Sequence, residues 1–405
     1  MLRPLRSLAV LAFLSASAGC GDGVAPNRTD FTFLAPPPAS GTPYLPSLAH
    51  APDGQPWIAY NDLKAAQPRV AKWTGSAWEE VGTSPAAPQS GPTSLTGQLA
   101  VSATGQPFLT ERMEGSGSVH LRTFEGEVWK DVGRIPSTGN PDLRAWDLRI
   151  NPTGQPVLAT TTTEPGTVFG SIHVRSWNGR TWRDLHPELS ELPSPSTDGY
   201  GLHSPSMELD AHGNPMVAHV EGNFSFARLW VRRWTGTAWE TLGGPLFSYD
   251  SLVSGGTPDL ALDPEGRPYV VWATDRHISP PAGAVHVSRW TGTAWESVGD
   301  PITVPNTEGG VQQPLLQVDP RGRPVVSFRQ GGCCEVPIHV RRWNGTSWES
   351  LGAPLTGLEK DALYFHAMSM GPEGVPLLAW PQAIGDSIFS PGRGVLYVAR
   401  FNEGQ

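Results

Sequence analysis

The 405-residue chain has only three cysteines, Cys20, Cys333 and Cys334, too few for the disulfide framework that staples small secreted folds. Charge is sparse as well. Charged residues make up 17% of the chain and the net charge is −9, a balance that argues against a phosphate-binding surface, so nucleic acid is not expected as a partner. Beyond the first twenty residues, no segment approaches the roughly eighteen apolar residues that a membrane-crossing helix needs. The sequence also lacks a nucleophile motif and metal-ligand spacing, and neither a metal nor a cofactor is expected. What is abundant is turn chemistry, with 46 Gly and 41 Pro beside 38% hydrophobic residues and 16 Trp. That balance fits a turn-rich all-β protein with a substantial core better than disorder.

The turns recur. Gly-x-Pro appears at Gly54, Gly105, Gly154, Gly213, Gly266, Gly322 and Gly374, in steps of 49 to 59 residues. About twenty residues after each comes a Trp-x-Gly-x-x-Trp turn or a variant of it: Trp73/Trp78, Phe124/Trp129, Trp177/Trp182, Trp234/Trp239, Trp290/Trp295 and Trp343/Trp348, with Phe401 alone at the end. Within one repeat the pattern resolves into four strands. Asp259 to Asp263 alternates with period two, Pro264 to Pro268 is a turn, Tyr269 to Trp272 is β-rich, Val285 to Trp290 is a third strand and Trp295 to Gly299 a fourth. Seven such units predict an all-β fold, a seven-bladed β-propeller of four-stranded antiparallel blades over residues 31–405.

The last unit lacks a fourth strand. The segment Phe31-Thr32-Phe33-Leu34-Ala35-Pro36-Pro37 resembles Trp348 to Pro354, so the N-terminal strand is expected to complete the seventh blade and close the ring. Apolar residues six and four positions before each Gly and four after it are expected to pack blade against blade, His50 being the one exception in character. Ala49, Ala100 and Ala261 suit a crowded strand near the axis.

The turns also carry resemblances. The Trp-x-Gly-x-x-Trp hairpin resembles the Asp-box of sialidase-type propellers, with Trp in the Asp slot, and the repeat resembles the kelch and galactose-oxidase group in strand order and Trp use. Neither the sialidase catalytic set nor the galactose-oxidase copper ligands have counterparts here, so the resemblance implies fold and not activity. At the N-terminus, a basic start, an apolar stretch from Leu8 to Leu14 and Ser17-Ala18-Gly19-Cys20 resemble a bacterial lipoprotein signal. This implies a signal peptide over 1–19, lipidation of Cys20 and a flexible tether over 20–30; the alternative is an ordinary secretory signal. Contact with the membrane is then through the lipid alone, in the envelope of a Gram-negative bacterium, at the outer membrane or cell surface.

The recurring tryptophans read as structural, and function is expected on the face carrying the connections of variable length. Six residues after the Gly, Tyr60, His219, Trp272, Phe328 and Trp380 either stack on a ligand such as a sugar ring or cap the core. On the inner strands, Asp147, Asp259, Glu208 and Arg149 either form a substrate site of acids and a base or are solvated channel residues. Cys333 and Cys334 form a vicinal disulfide or remain free thiols. The four histidines His120, His173, His286 and His339 share one register but belong to different blades, too dispersed for one metal. The expectation is a monomeric binding module for a carbohydrate or an envelope protein, without catalysis. A carbohydrate-active hydrolase or lyase working at the central funnel is the alternative, and a structural envelope subunit a third.

Overall fold

The computed structural model describes residues 30–65, 67–82, 94–113, 119–136, 143–163, 170–185, 189, 201–222, 227–249, 257–274, 283–304, 310–330, 336–356, 365–384 and 393–403. Every described element is a strand. Blade 1 runs from an inner strand, Pro43–His50, through Pro56–Asp62 and Gln67–Trp73 to an outer strand, Trp78–Glu80, each pair antiparallel. The inner strands of blades 2 to 7 are Ser94–Val101, Leu143–Ile150, Gly201–Leu209, Asp259–Leu262, Val311–Val318 and Ala367–Met370. The fifth repeat has the strands its sequence predicts: Asp259–Leu262, Pro268–Ala273, Val285–Trp290 and Trp295–Ser297.

Closure follows the expected route. Phe31–Phe33 is the outer strand of blade 7 and pairs antiparallel with the C-terminal strand, Phe31 opposite Phe401 and Phe33 opposite Ala399. The two ends of the chain thus share one sheet, and the ring of seven blades has no open seam.

Local chemistry explains the turns. In blade 5 the Asp263 carboxylate accepts the backbone N–H groups of Glu265 and Arg267, while Gly266 donates to the Asp263 carbonyl at 2.8 Å. Gly266 sits at φ +78°, which an L side chain resists, so the turn needs glycine there.

Two sets of contacts join the blades. Apolar clusters fill the space between neighbouring sheets: Ala261, Val271 and Val287 of blade 5 meet Leu316, Val326 and Phe328 of blade 6, and Ile58 and Ala71 of blade 1 meet Leu377, Ala379 and Val398 of blade 7. Each fully buried Val, Leu, Ile or Phe contributes roughly 1.5–3 kcal/mol. At the rim, four of the six second tryptophans of the turn motif donate the indole N–H to the carbonyl just past the outer strand of the preceding blade: Trp129 to Val81 at 2.8 Å, Trp239 to Leu185 at 3.2 Å, Trp295 to Leu242 at 2.6 Å and Trp348 to Val298 at 2.9 Å. The hairpin tryptophans therefore fasten blade to blade as well as clamping their own turns.

Candidate functional site in the central channel

Along each inner strand alternate side chains face the axis. The channel they enclose is a cavity of about 730 Å³, lined by residues of all seven blades. Ligand sites commonly fall in the range of about 300–1,000 Å³. Ala49 and Ala100 line this space and also pack against the apolar clusters between blades, and Ala261 lies within such a cluster.

Seven residues before each turn glycine, a belt of side-chain acceptors crosses from blade to blade. Ser47 Oγ accepts the Leu99 N–H at 3.0 Å, Gln98 Oε1 the Leu148 N–H at 2.8 Å, and Asp147 Oδ2 the Met207 N–H at 2.7 Å. Ser206 Oγ accepts the Leu260 N–H at 3.0 Å, and Asp259 Oδ2 the Leu316 N–H at 2.7 Å. In blade 6 the equivalent position is Leu315, and Gln313 takes over: its amide accepts from the His366 N–H and donates to the His366 carbonyl, both at 3.1 Å. Asp147 and Asp259 thus act first as fasteners between blades.

Two residues further on, Arg149 and Glu208 face the channel with side chains 28% and 24% exposed. Arg149 bridges three carboxyl-bearing blades in electrostatic terms. Its guanidinium pairs with Asp147, donates through Nε and Nη2 to Glu208 Oε1 at 3.1 and 3.0 Å, and donates to the Leu148 carbonyl at 3.0 Å. Burial works against the Arg149 charge, but Asp147, Glu208 and Asp259 outweigh it and hold its pKa above the ordinary value. Burial raises Asp147 to about 6 against the opposing pull of Arg149 and the Met207 N–H. Burial likewise raises Asp259 to about 7, against the Leu316 N–H, Ser206 and Arg149, with Asp147 pushing the same way as burial. Glu208 differs from both aspartates. Only Oε1 is engaged, and among the described residues Oε2 has no protein partner on the channel wall.

The four polar residues singled out in the sequence therefore come together. The five at the ends of the second strands do not form a ligand surface: Tyr60, His219, Phe328 and Trp380 are 0% exposed and Trp272 is 7% exposed. Three of them stack on a ring of the third strand that the sequence spacing did not reveal. Trp272 stacks on His286, Phe328 on His339 and Trp380 on Tyr397, at centroid distances of 5.3 to 5.6 Å, while the Tyr60 hydroxyl donates to the Pro38 carbonyl. These rings cap the core beneath the loops. The stacked histidines are tied to separate blades, and His120 pairs with Asp131 at 2.9 Å. Among the described residues no group of three His, Cys, Asp or Glu side chains is arranged to hold a metal ion. Cys20, Cys333 and Cys334 lie outside the described residues.

The channel also holds residues with no distinguishing pattern in the sequence. His50, the one polar residue at its register position, lines the channel and is lowered to about 4 by burial and by Arg400, so it is a neutral imidazole at neutral pH. His366, lowered to about 3 by burial and Arg329, faces Ser327 Oγ at 2.9 Å. Gln317 and Ser369 complete the wall.

No protein-family model matches the chain, and no curated protein matches it in sequence. Solved structures do share its fold. A polysaccharide lyase of a new family, PL25 ulvan lyase, superposes with a TM-score of 0.58 at 13% identity over 91% of this chain and 94% of its own. A prolyl endopeptidase superposes with 0.52 at 12% identity, over 90% of this chain and 50% of its own. The α-L-arabinofuranosidase Arb93A from Fusarium graminearum gives 0.49 at 13% identity over 92% and 97%. At such identities the likeness shows the propeller fold alone. It does not narrow the turn resemblances to the sialidase-type or kelch groups.

Proposed function

We propose that this protein is a carbohydrate-active enzyme, a hydrolase or lyase, whose site is the central channel. The observation that carries the reading is the contrast between two carboxyl groups on adjacent blades. Glu208 keeps Oε2 free on the channel wall with Oε1 fixed by Arg149, while Asp259, also lining the channel, is raised to about 7 by burial. Groups with such different surroundings divide the work of accepting and supplying a proton. Glu208 is assigned the base, through Oε2, and Asp259 is the neighbouring group that retains a proton near neutral pH. The likeness of fold to a polysaccharide lyase agrees with this reading, although the same architecture serves a peptidase.

A screen of neutral and uronate-containing polysaccharides for new reducing ends, and for the ultraviolet absorbance of unsaturated products, tests it. Turnover that falls by about 10²-fold or more in Glu208→Gln supports the assignment. That variant keeps an oxygen acceptor for Arg149, so its fold is expected to persist.

One observation favours a second reading, binding without turnover: both oxygens of Asp259 are already engaged, Oδ1 by Ser206 and Oδ2 by Leu316. Saccharide binding with no product in any assay would select it. We also propose lipid attachment at Cys20 and residence in a Gram-negative cell envelope; a Cys20→Ala chain found in the soluble fraction is the expected result.

A further inference from the structure

We infer that the channel takes a saccharide bearing a carboxylate, a uronate, and holds that carboxylate on the backbone N–H groups of Leu48 and Met368 where blades 7 and 1 meet; the inference rests on the reading of the channel as a saccharide site. The belt of acceptors breaks at this point. In five blades the residue six before the turn glycine donates its N–H to a side chain of the preceding blade: Leu99 to Ser47, Leu148 to Gln98, Met207 to Asp147, Leu260 to Ser206 and Leu316 to Asp259. The two blades left over are neighbours. In blade 6 the acceptor position is Leu315 and in blade 7 it is Ala367, neither with a side-chain oxygen, so among the described residues no side chain accepts from Met368 or Leu48.

Strand register directs both N–H groups to the channel. Ala51 donates to the Gln55 carbonyl and Gly371 to the Val375 carbonyl, so those pairs are hydrogen-bonded across the hairpin. Three residues back along each inner strand, Leu48 faces Ile58 and Met368 faces Leu378, which makes them non-hydrogen-bonded pairs of the antiparallel ladder. Each N–H then points away from the second strand and toward the axis, and both residues line the channel. An amide donor in a protein interior is an obligatory hydrogen-bonding group, and the sheet fixes these two in place. Ser369, the next residue in blade 7, is 8% exposed and lines the channel with a hydroxyl that has no hydrogen-bond partner among the described residues.

Two rigid N–H groups and a hydroxyl, with no acceptor between them, match a group that only accepts. Negative charge on that group strengthens each bond. Arg112 of blade 2, which adjoins blade 1, lines the channel and adds a cation on that side of the ring. Glu208 stands across from the pair, because blade 4 is three blades from blade 1 and three from blade 7. It is five residues before its turn glycine and the donors are six before theirs, so they share a level along the strands. A uronate with its carboxylate on Leu48 and Met368 keeps its charge away from Glu208 and turns its ring toward Glu208 Oε2.

The test uses oligosaccharides of polygalacturonan, glucuronoxylan and ulvan, each beside its carboxyl-reduced form. Binding to the parent chain is measured by calorimetry, and again with two variants that complete the belt: Ala367→Ser, which gives blade 7 the hydroxyl that Ser47 uses, and Leu315→Gln, which gives blade 6 the amide that Gln98 uses. Unfolding midpoints report whether each variant folds, and the comparison with the reduced forms needs the parent chain alone. At least one uronate oligosaccharide is expected to bind, and its carboxyl-reduced form to bind about tenfold or more weakly. Ala367→Ser is expected to keep the parent's midpoint and to lose uronate affinity by a similar factor, because its hydroxyl takes the Leu48 N–H; Leu315→Gln acts in the same way on Met368. Equal binding of a uronate and its reduced form, or full uronate affinity in the folded variants, would overturn the inference; where Glu208→Gln weakens that binding, the channel stands as the saccharide site. No binding of any oligosaccharide, or binding that Glu208→Gln leaves unchanged, would overturn it together with the reading on which it rests.

Discussion

Asp259 of blade 5 accepts the backbone N–H of Leu316 in blade 6 at 2.7 Å, and its other carboxyl oxygen takes the hydroxyl of Ser206 in blade 4 at 2.8 Å. One side chain fastens three consecutive blades at the edge of the channel. Asp259→Ala strands the Leu316 N–H in the ring interior, and a buried donor left without a partner costs about 1–3 kcal/mol. Asp259→Asn retains an acceptor for Leu316 and is expected to lose less. Urea unfolding midpoints check the order; an alanine variant as stable as the parent would contradict the fastening role.

The same residue gives a pH dependence of definite sign. Its folded value is raised to about 7, and in the unfolded chain it returns to the ordinary aspartate value of about 3.9. A carboxyl raised by folding holds its proton more tightly in the native state, so its contribution is complete below about pH 4 and is lost as pH rises through about 7. Protonation does not break the fastening, because Oδ1–H can donate to Ser206 Oγ while Oδ2 still accepts from Leu316. The stability difference between the parent and Asp259→Asn is therefore expected to shrink as pH rises from about 4 to 8. A difference that grows over that range would show the carboxyl to be ionised throughout.

Closure of the ring depends on Phe31, 3% exposed and edge-on to Phe401 at 5.4 Å. Phe31→Ala is expected to cost about 3–5 kcal/mol, the usual range for a buried Phe truncated to Ala. Guanidinium unfolding measures this. A loss below about 1 kcal/mol would mean that the ring holds without its N-terminal strand.

Gly243, two residues past the outer strand Trp239–Thr241 of blade 4, sits at φ +71°, and a Cβ there would lie 2.9 Å from Trp290 Cζ3 of blade 5. Gly243→Ala combines a disfavoured backbone with a clash against a packed indole, and a loss of about 1–3 kcal/mol is expected in thermal or urea unfolding. An unchanged midpoint would show that the rim can shift to make room.

The blades were legible in the sequence because their signals are local: Asp263 and Gly266 build a turn from five consecutive residues, and Phe31 to Phe33 carry the pattern of the outer strand they replace. The channel was half legible. Period two on the inner strands put Asp147, Arg149, Glu208 and Asp259 toward the axis, but the partner of each aspartate is a backbone N–H in the next blade, more than fifty residues away, with no signature of its own. Trp272 and Trp380 misled for a related reason. A ring at the end of a strand is exposed or buried according to its cross-strand neighbour, and His286 and Tyr397 cover these two.

The central claim is that saccharide is held in the channel, and the most direct measurement is a crystal structure of the chain with an oligosaccharide that it binds or cleaves. The account predicts a sugar in the channel, within hydrogen-bond distance of Glu208 Oε2 and Arg149. A sugar bound on the outer rim or across the loop face, with only water beside Glu208, would contradict it.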